Sequence, residues 1–232
     1  MLRVLITGAN RGLGLEFATQ YLRRGEKVFA GCRRPEQAHA LQTLRHKNPE
    51  RLIVLSLDVT NVASIDAAVK AIKIETGALD LVVNNAGVYP HGERPSNLEP
   101  STMLQTYHVN CVGPMMVAQR TLPLLRQGAD PKIVNLTSRL GSLTLKQRGG
   151  TYSYGSSKAA LNMLTRALAF DLKPEGIIVT AVHPGWVQTD MGGDAAPLEP
   201  PQAIGGVIDV IDGLTLEDTG RYRTWNGETL PW

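Results

Sequence analysis

Tyr154 and Lys158 stand four residues apart in Tyr154-Gly155-Ser156-Ser157-Lys158. On a helix that spacing puts both side chains on one face. An ordinary phenol has a pKa of ~10, too high for efficient proton exchange near neutrality. A nearby ammonium favours the phenolate, so the pair predicts a lowered pKa at Tyr154 and a proton exchanged with an alcohol or carbonyl oxygen. Tyr152 lacks such a partner, because its i+4 residue is Ser156. Near the N-terminus, Thr7-Gly8-Ala9-Asn10-Arg11-Gly12-Leu13-Gly14 follows the apolar run Val4-Leu5-Ile6 and precedes a helix-like segment. A strand, a glycine turn and a helix aim free backbone N–H groups and a positive helix end at an anion such as a pyrophosphate. The two features together describe a dinucleotide that exchanges hydride while a tyrosine exchanges the proton.

Gly8, Gly12 and Gly14 follow a G-x-x-x-G-x-G spacing, not the commoner G-x-G-x-x-G. The physical roles carry over: Gly8 for the tight turn, Gly12 for close approach of phosphate, Gly14 for packing of helix on strand. A glycine turn that holds no ligand is the plain alternative. The second strand separates the cofactors, because NAD enzymes place Asp or Glu at its end to hold the ribose 2′-hydroxyl. Val28-Phe29-Ala30-Gly31-Cys32-Arg33-Arg34 carries no acid and ends in two guanidinium groups. Arg11, inside the glycine turn, could reach the same phosphate. Arginine binds phosphate through charge-assisted, often bidentate bonds, so the cofactor reading is NADP(H). Asp58 ends the third strand and suits either an adenine amino group or the cap of the next helix. Thr60 and Asn61 could also fill that cap.

The elements that must position these residues are legible as alternating runs. Strands are expected at Leu2–Thr7, Lys27–Cys32, Leu52–Leu57, Leu79–Asn84, Lys132–Thr137, Ile177–Val182 and Arg221–Trp225. Most are short and β-branched without polar alternation, as strands buried on both faces are. Helices are expected at Leu13–Arg24, Pro35–Lys47, Val62–Thr76, Ser101–Gln127 and Tyr152–Lys173, with Gly25, Gly77, Gly128 and Gly176 marking four ends. The pattern predicts a parallel sheet covered by helices on each side. Irregular stretches at Tyr89–Pro100 and Met191–Gln202 follow strand ends, where ligands bind in open α/β sheets.

The 232 residues, 43% hydrophobic and 19% charged, suit a single α/β domain. The net charge of +3 comes without a long basic block, which argues against a nucleic-acid partner. Cys32 and Cys111 lie far apart without metal-ligand spacing, which predicts a reduced, cytoplasmic protein holding no metal. The first strand begins at the N-terminus, so no signal peptide is expected. No apolar run approaches the ~20 residues of a membrane span.

Ordered motifs along nearly the whole chain resemble the single-domain short-chain dehydrogenase/reductases. They are the glycine turn, Asn84-Asn85-Ala86-Gly87, His108-Val109-Asn110-Cys111-Val112-Gly113, Asn135-Leu136-Thr137-Ser138, the Tyr154–Lys158 segment, and Pro184-Gly185-Trp186-Val187-Gln188-Thr189. Gly149-Gly150, Lys158-Ala159-Ala160-Leu161-Asn162-Met163, the run from His183 to Gly193 and the closing Leu230-Pro231-Trp232 resemble its C-factor and sniffer-like carbonyl reductases. The resemblance implies a doubly wound Rossmann-type α/β fold with seven parallel strands in the order 3-2-1-4-5-6-7. It implies that Tyr154 is the acid, that Lys158 supports it and binds the nicotinamide ribose, and that Ser138 bonds the substrate oxygen. Asn110 would hold a water beside Lys158. Ser142 and Thr137 are the competing candidates for the role of Ser138, which is preferred because it directly ends a strand. The cofactor would rest on Gly8, Asn10, Arg11, Gly12 and Leu13, then Arg33, Asp58 and Val59. Asn85, Ala86 and Gly87 follow, with Pro184, Gly185, Val187 and Thr189 near the nicotinamide.

The function implied is hydride transfer between NADP(H) and a small carbonyl or alcohol substrate. The rivals are a regulatory or signalling protein that uses the fold as a sensor, and a dehydrogenase of a sugar or fatty-acid intermediate. Met191–Gln202 is expected to be a mobile lid, with Gly192 and Gly193 as its hinge. His91 and His183 read as structural, and Trp186 as a pocket wall. Helices Ser101–Gln127 and Tyr152–Lys173 correspond to those that form dimer interfaces in the family, which implies a homodimer or homotetramer.

Overall fold

The apolar runs form strands with side chains directed to both faces. The computed structural model describes residues 1–232. Its strands are β1 (Arg3–Thr7), β2 (Lys27–Cys32), β3 (Leu52–Ser56), β4 (Leu81–Asn84), β5 (Lys132–Leu136), β6 (Ile178–His183) and β7 (Tyr222–Thr224). They make one sheet in the order β3-β2-β1-β4-β5-β6-β7, parallel throughout. The register pairs Val4 with Val28 on one side and with Leu81 on the other.

The helices are α1 (Gly12–Arg23), α2 (His39–Lys47), α3 (Val62–Thr76), α4 (Pro100–Tyr107), α5 (Gly113–Leu125), α6 (Tyr152–Leu172) and α7 (Pro200–Asp212). Successive strand residues point to opposite faces. Val4 and Ile6, Val28 and Ala30, and Leu81 and Val83 therefore pack with Phe17 and Tyr21 of α1 and Ile204 and Ile208 of α7. Leu5, Phe29 and Val82 pack on the other face with Ile65 and Ile72 of α3, Val117 of α5 and Leu172 of α6. This division explains why the strands read as continuous apolar runs.

Several boundaries differ from expectation for local reasons. The helix expected at Pro35–Lys47 opens with a separate tight turn at Pro35–Gln37 before α2. The single helix expected at Ser101–Gln127 is α4 and α5 joined by a wide π turn at His108–Val112. Gly77 ends α3 in the left-handed conformation, φ 69°. Gly128 serves a different need: a Cβ there would lie 2.0 Å from the Leu79 carbonyl oxygen, so it permits close approach to the segment that leads into β4.

Candidate active site

The C-terminal ends of the strands open into a cleft of about 1480 Å³. Pockets for single small ligands span roughly 300–1,000 Å³, so this one has room for a dinucleotide and a further small molecule.

The glycine turn forms its floor. Gly8 has φ 65°, and a Cβ there would come 2.9 Å from the Cα of Ala86. A Cβ on Gly14 would lie 2.3 Å from the Gly8 carbonyl oxygen. Both positions therefore admit no side chain, and α1 starts directly against the turn. Asn85 holds the turn in place, donating from Nδ2 to the Thr7 and Gly8 carbonyl oxygens at 2.8 and 3.1 Å. The Thr7 hydroxyl oxygen accepts from the Asn85 and Ala86 amides. The turn residues Gly8, Asn10, Arg11, Gly12 and Leu13 all border the cleft, as do Asn85, Ala86 and Gly87 beside them.

Arg33 and Arg34 border the cleft beyond β2, with Asp58 and Val59 beyond β3. Neither arginine has an acidic partner; Arg34 reaches only the Gln37 side chain, at 3.4 Å. The cap of α3 falls to Asn61, whose side chain accepts from the Ser64 amide. Asp58 instead accepts from the Thr60 amide and hydroxyl at 2.9 and 2.6 Å. Burial opposes its ionisation, but those bonds, with Arg33 and His108, outweigh it and hold the carboxyl below its usual range. Arg11 departs from expectation. Its guanidinium pairs with Asp190 at 2.6 Å, because the loop after β6 lies over the glycine turn and offers the nearest carboxylate.

Ser138, Tyr154 and Lys158 converge on the same cleft. Ser138 lies two residues beyond β5, whereas Ser142 donates to the Pro231 carbonyl oxygen and lies away from the cleft. Tyr154 and Lys158 share one face of α6, with the ammonium 5.8 Å from the phenol ring centre. Lys158 Nζ donates to the Leu136 carbonyl oxygen at 2.8 Å. The expected lowering of the Tyr154 pKa is not what results. Burial pushes the phenol up to about 12, although the Ser138 side chain hydrogen-bonds it and opposes the shift. Burial likewise brings Lys158 down to about 8. The spacing gave the right neighbours, but both groups sit so deep that desolvation is the largest cause of each shift.

Asn110 does not border the cleft. Its Oδ1 accepts from the Val88 amide at 2.8 Å, and its Nδ2 donates to the Val88 carbonyl and the Ser157 hydroxyl. Both Nδ2 hydrogens are used and Oδ1 accepts one bond, so the side chain braces the loop after β4 against α6 while Oδ1 keeps a second lone pair.

Pro184, Gly185, Trp186, Val187 and Thr189 line the opposite wall. The segment expected as an irregular lid is closed on itself. Val187 bridges Leu198, Trp186 Nε1 donates to the Gly192 carbonyl, and Gln188 Nε2 donates to that of Ala196. Gly192 packs rather than hinges, since a Cβ there would meet the Val187 carbonyl oxygen at 2.0 Å. Pro200, Pro201 and Gln202 already belong to α7.

One neighbour of Tyr154 escaped sequence reasoning, and His91, read there as structural, borders the cleft beside it. Tyr89 meets the Tyr154 ring edge-on, with centres 4.6 Å apart, and His91 in turn meets Tyr89. Their only sequence signal is that they follow Asn85-Ala86-Gly87 at a strand end. His183 also borders the cleft, held neutral with a pKa of about 4 by burial and by Arg139.

Residues 3–199 match the family model described as short chain dehydrogenase. The C-signal protein of Myxococcus xanthus is 44% identical over 162 residues, covering 70% of this chain and 98% of that protein. The crystal structure of NADPH-bound carbonyl reductase from chicken fatty liver superposes with a TM-score of 0.95. It is 36% identical, over 100% of this chain and 99% of that one. Carbonyl reductase Sniffer of D. melanogaster superposes with a TM-score of 0.96, also at 36% identity, over 100% of both chains. With the parallel sheet, the glycine turn and the Tyr-x-x-x-Lys helix at one cleft, these likenesses assign the chain to the short-chain dehydrogenase/reductase family of oxidoreductases.

Proposed function

We propose that this oxidoreductase is an NADPH-dependent carbonyl reductase. The observation that carries the reading is one cleft with Ser138, Tyr154 and Lys158 at one part and the unpaired Arg33 and Arg34 at another. The fit to the cofactor rests on the glycine turn, whose Gly8 and Gly12 border the cleft in left-handed conformations, φ 65° and 52°. Arg33 and Arg34 suit a 2′-phosphate, and no acid at the end of β2 competes for a 2′-hydroxyl. The glycine turn and Asn85–Gly87 would hold the pyrophosphate and adjoining ribose, with Asp58 and Val59 at the adenine and Pro184, Gly185, Val187 and Thr189 at the nicotinamide.

Bound NADPH supplies a hydride to the carbonyl carbon. Tyr154 gives its hydroxyl proton to the carbonyl oxygen, and the product is the alcohol. Ser138 donates a hydrogen bond to that oxygen as its charge grows. Lys158 holds a positive charge under the Tyr154 ring and contributes to binding the ribose. Alcohol oxidation runs through the same groups in reverse. The likeness to NADPH-bound carbonyl reductase supports this reading. The two cysteines are free and buried, which suits a reducing compartment such as the cytoplasm.

The likeness to C-signal favours a second reading, a signalling role on the same fold. A pure sensor has no need of the Ser138–Tyr154–Lys158 set. The test is consumption of NADPH with a panel of activated ketones and quinones, alongside kcat/KM for NADPH and NADH. Turnover with an NADPH preference is expected. Arg33→Asp should reduce NADPH use more than NADH use, by about 1.5–3 kcal/mol for a lost charged hydrogen bond. Equal use of the two cofactors, or no turnover, would remove the proposal.

A further inference from the structure

Arg139 follows Ser138 directly, in the tight turn after β5. Its side chain is exposed and borders the cleft. It makes none of the ten ion pairs of the protein, and its guanidinium donates no hydrogen bond. The acids that border the cleft are Asp58 and Asp190. Asp190 is paired with Arg11, and Asp58 is bonded to Thr60 beyond β3. Nothing anionic therefore answers Arg139 where it stands. His183, which also borders the cleft, is held below its usual pKa mainly by burial and in part by the Arg139 charge.

Arg139 is also remote from the other unpaired arginines of the cleft. Arg33 and Arg34 follow β2, and β1 and β4 lie between β2 and β5. Three steps of ~4.8 Å across the sheet separate them by roughly 14 Å. One cofactor phosphate cannot satisfy both places, so Arg139 is free for whatever molecule presents its carbonyl to Ser138.

We infer that Arg139 is a specificity-determining residue that selects carbonyl substrates bearing a carboxylate. An exposed guanidinium beside Ser138 offers a planar, two-pronged donor set that matches a carboxylate. The neighbouring His183 is neutral and brings no competing charge. Tyr89 and Trp186 add aromatic walls, so an aryl aldehyde or ketone carrying a carboxylate fits the lining. The inference rests on the reductase reading for its turnover test, and a binding test separates the two.

The probes are the three isomers of carboxybenzaldehyde and their methyl esters. The quantity read is kcat/KM for each acid divided by that for its ester, with NADPH. In the wild-type protein the ratio for the best isomer should exceed about tenfold, the effect of one charged hydrogen bond. It should fall towards one in Arg139→Gln and recover in part in Arg139→Lys. In parallel, calorimetry measures binding of the same acids to both proteins, and Arg139→Gln should weaken it by a similar factor. Binding that depends on Arg139 without any turnover would uphold this inference and defeat the reductase reading. Turnover with the same acid-to-ester ratio in wild type and Arg139→Gln would overturn this inference and leave the reductase reading standing. Acids that neither bind nor react would overturn it as well.

Discussion

The Glu93 carboxylate caps the helix that carries Tyr154, although it lies sixty residues away from the Ser153 it bonds. It accepts from the Ser153 amide at 3.0 Å and from the Ser153 hydroxyl. The helix has no side-chain cap of its own, because Thr151 precedes it in the left-handed conformation, φ 52°. Removing an N-cap costs about 0.5–2 kcal/mol. Glu93→Ala should therefore lower stability by about that amount in urea unfolding. Glu93→Gln should lose less, since the Ser153 hydroxyl can reverse its role and accept from the amide. Equal losses in the two variants would mean that the carboxylate's charge, and not its hydrogen bonds, caps the helix.

Tyr154→Phe should abolish most turnover while NADPH affinity, measured by fluorescence titration, stays near the wild-type value. In the proposed mechanism the hydroxyl moves the proton, and the ring packs against Tyr89. Tyr152→Phe should lose far less. A larger loss at Tyr152 would place the proton donor on the wrong tyrosine.

Lys158 titrates near the working range because burial brings it to about 8. The proposed carbonyl reduction needs its positive charge while Tyr154, at about 12, keeps its proton. The rate of reduction should be full below about pH 8 and decline as pH rises through it. In Lys158→Arg the remaining rate should show no such decline, since guanidinium keeps its proton. The stability sign runs the other way. The unfolded chain, with lysine near 10.5, binds more protons than the folded one between pH 8 and 10.5, so this group's contribution to stability grows across that window.

The segment from Trp186 to Leu198 should move as a compact flap. Its internal bonds join Trp186 to Gly192 and Gln188 to Ala196, and the Arg11–Asp190 pair ties it to the glycine turn. Amide exchange with NADPH and a substrate analogue should show added protection across this segment as a unit. Protection unchanged on binding would leave it a static wall.

On α6, Leu161 is buried, whereas Met163 and Phe170 are 69% and 66% exposed. That apolar face should meet a second copy, so light scattering at micromolar concentration should give about twice the 25.1 kDa chain mass. A species of single-chain mass would argue against the dimer.

The sheet was legible because both faces of each strand are buried, which leaves no polar alternation. The Tyr154–Lys158 face was legible because helical spacing alone creates it. The direction of the Tyr154 shift was not, since depth of burial depends on elements far along the chain. Glu93 and Ser153 meet only once β4 and α6 are assembled, and no local pattern marks the pair. Arg11 looked free for phosphate because Asp190 lies 179 residues away. Asn110 was legible as a motif residue, but its bonds to Val88 and Ser157 depend on the wide turn that carries it.

That turn at His108–Val112 has a consequence for the length of the chain. A π turn closes its ring with one residue more than an α-helical turn. Shortening the run by one residue would let α4 and α5 join as a regular helix, with better backbone geometry. It would also rotate one side of the joint by about 100° against the other, taking Asn110 off Val88 and Ser157. Helix formation alone would discard the extra residue, and the brace behind Tyr154 requires it. Insertions and deletions here are therefore judged by two opposed criteria, and a chain better at folding locally would be worse at holding its site.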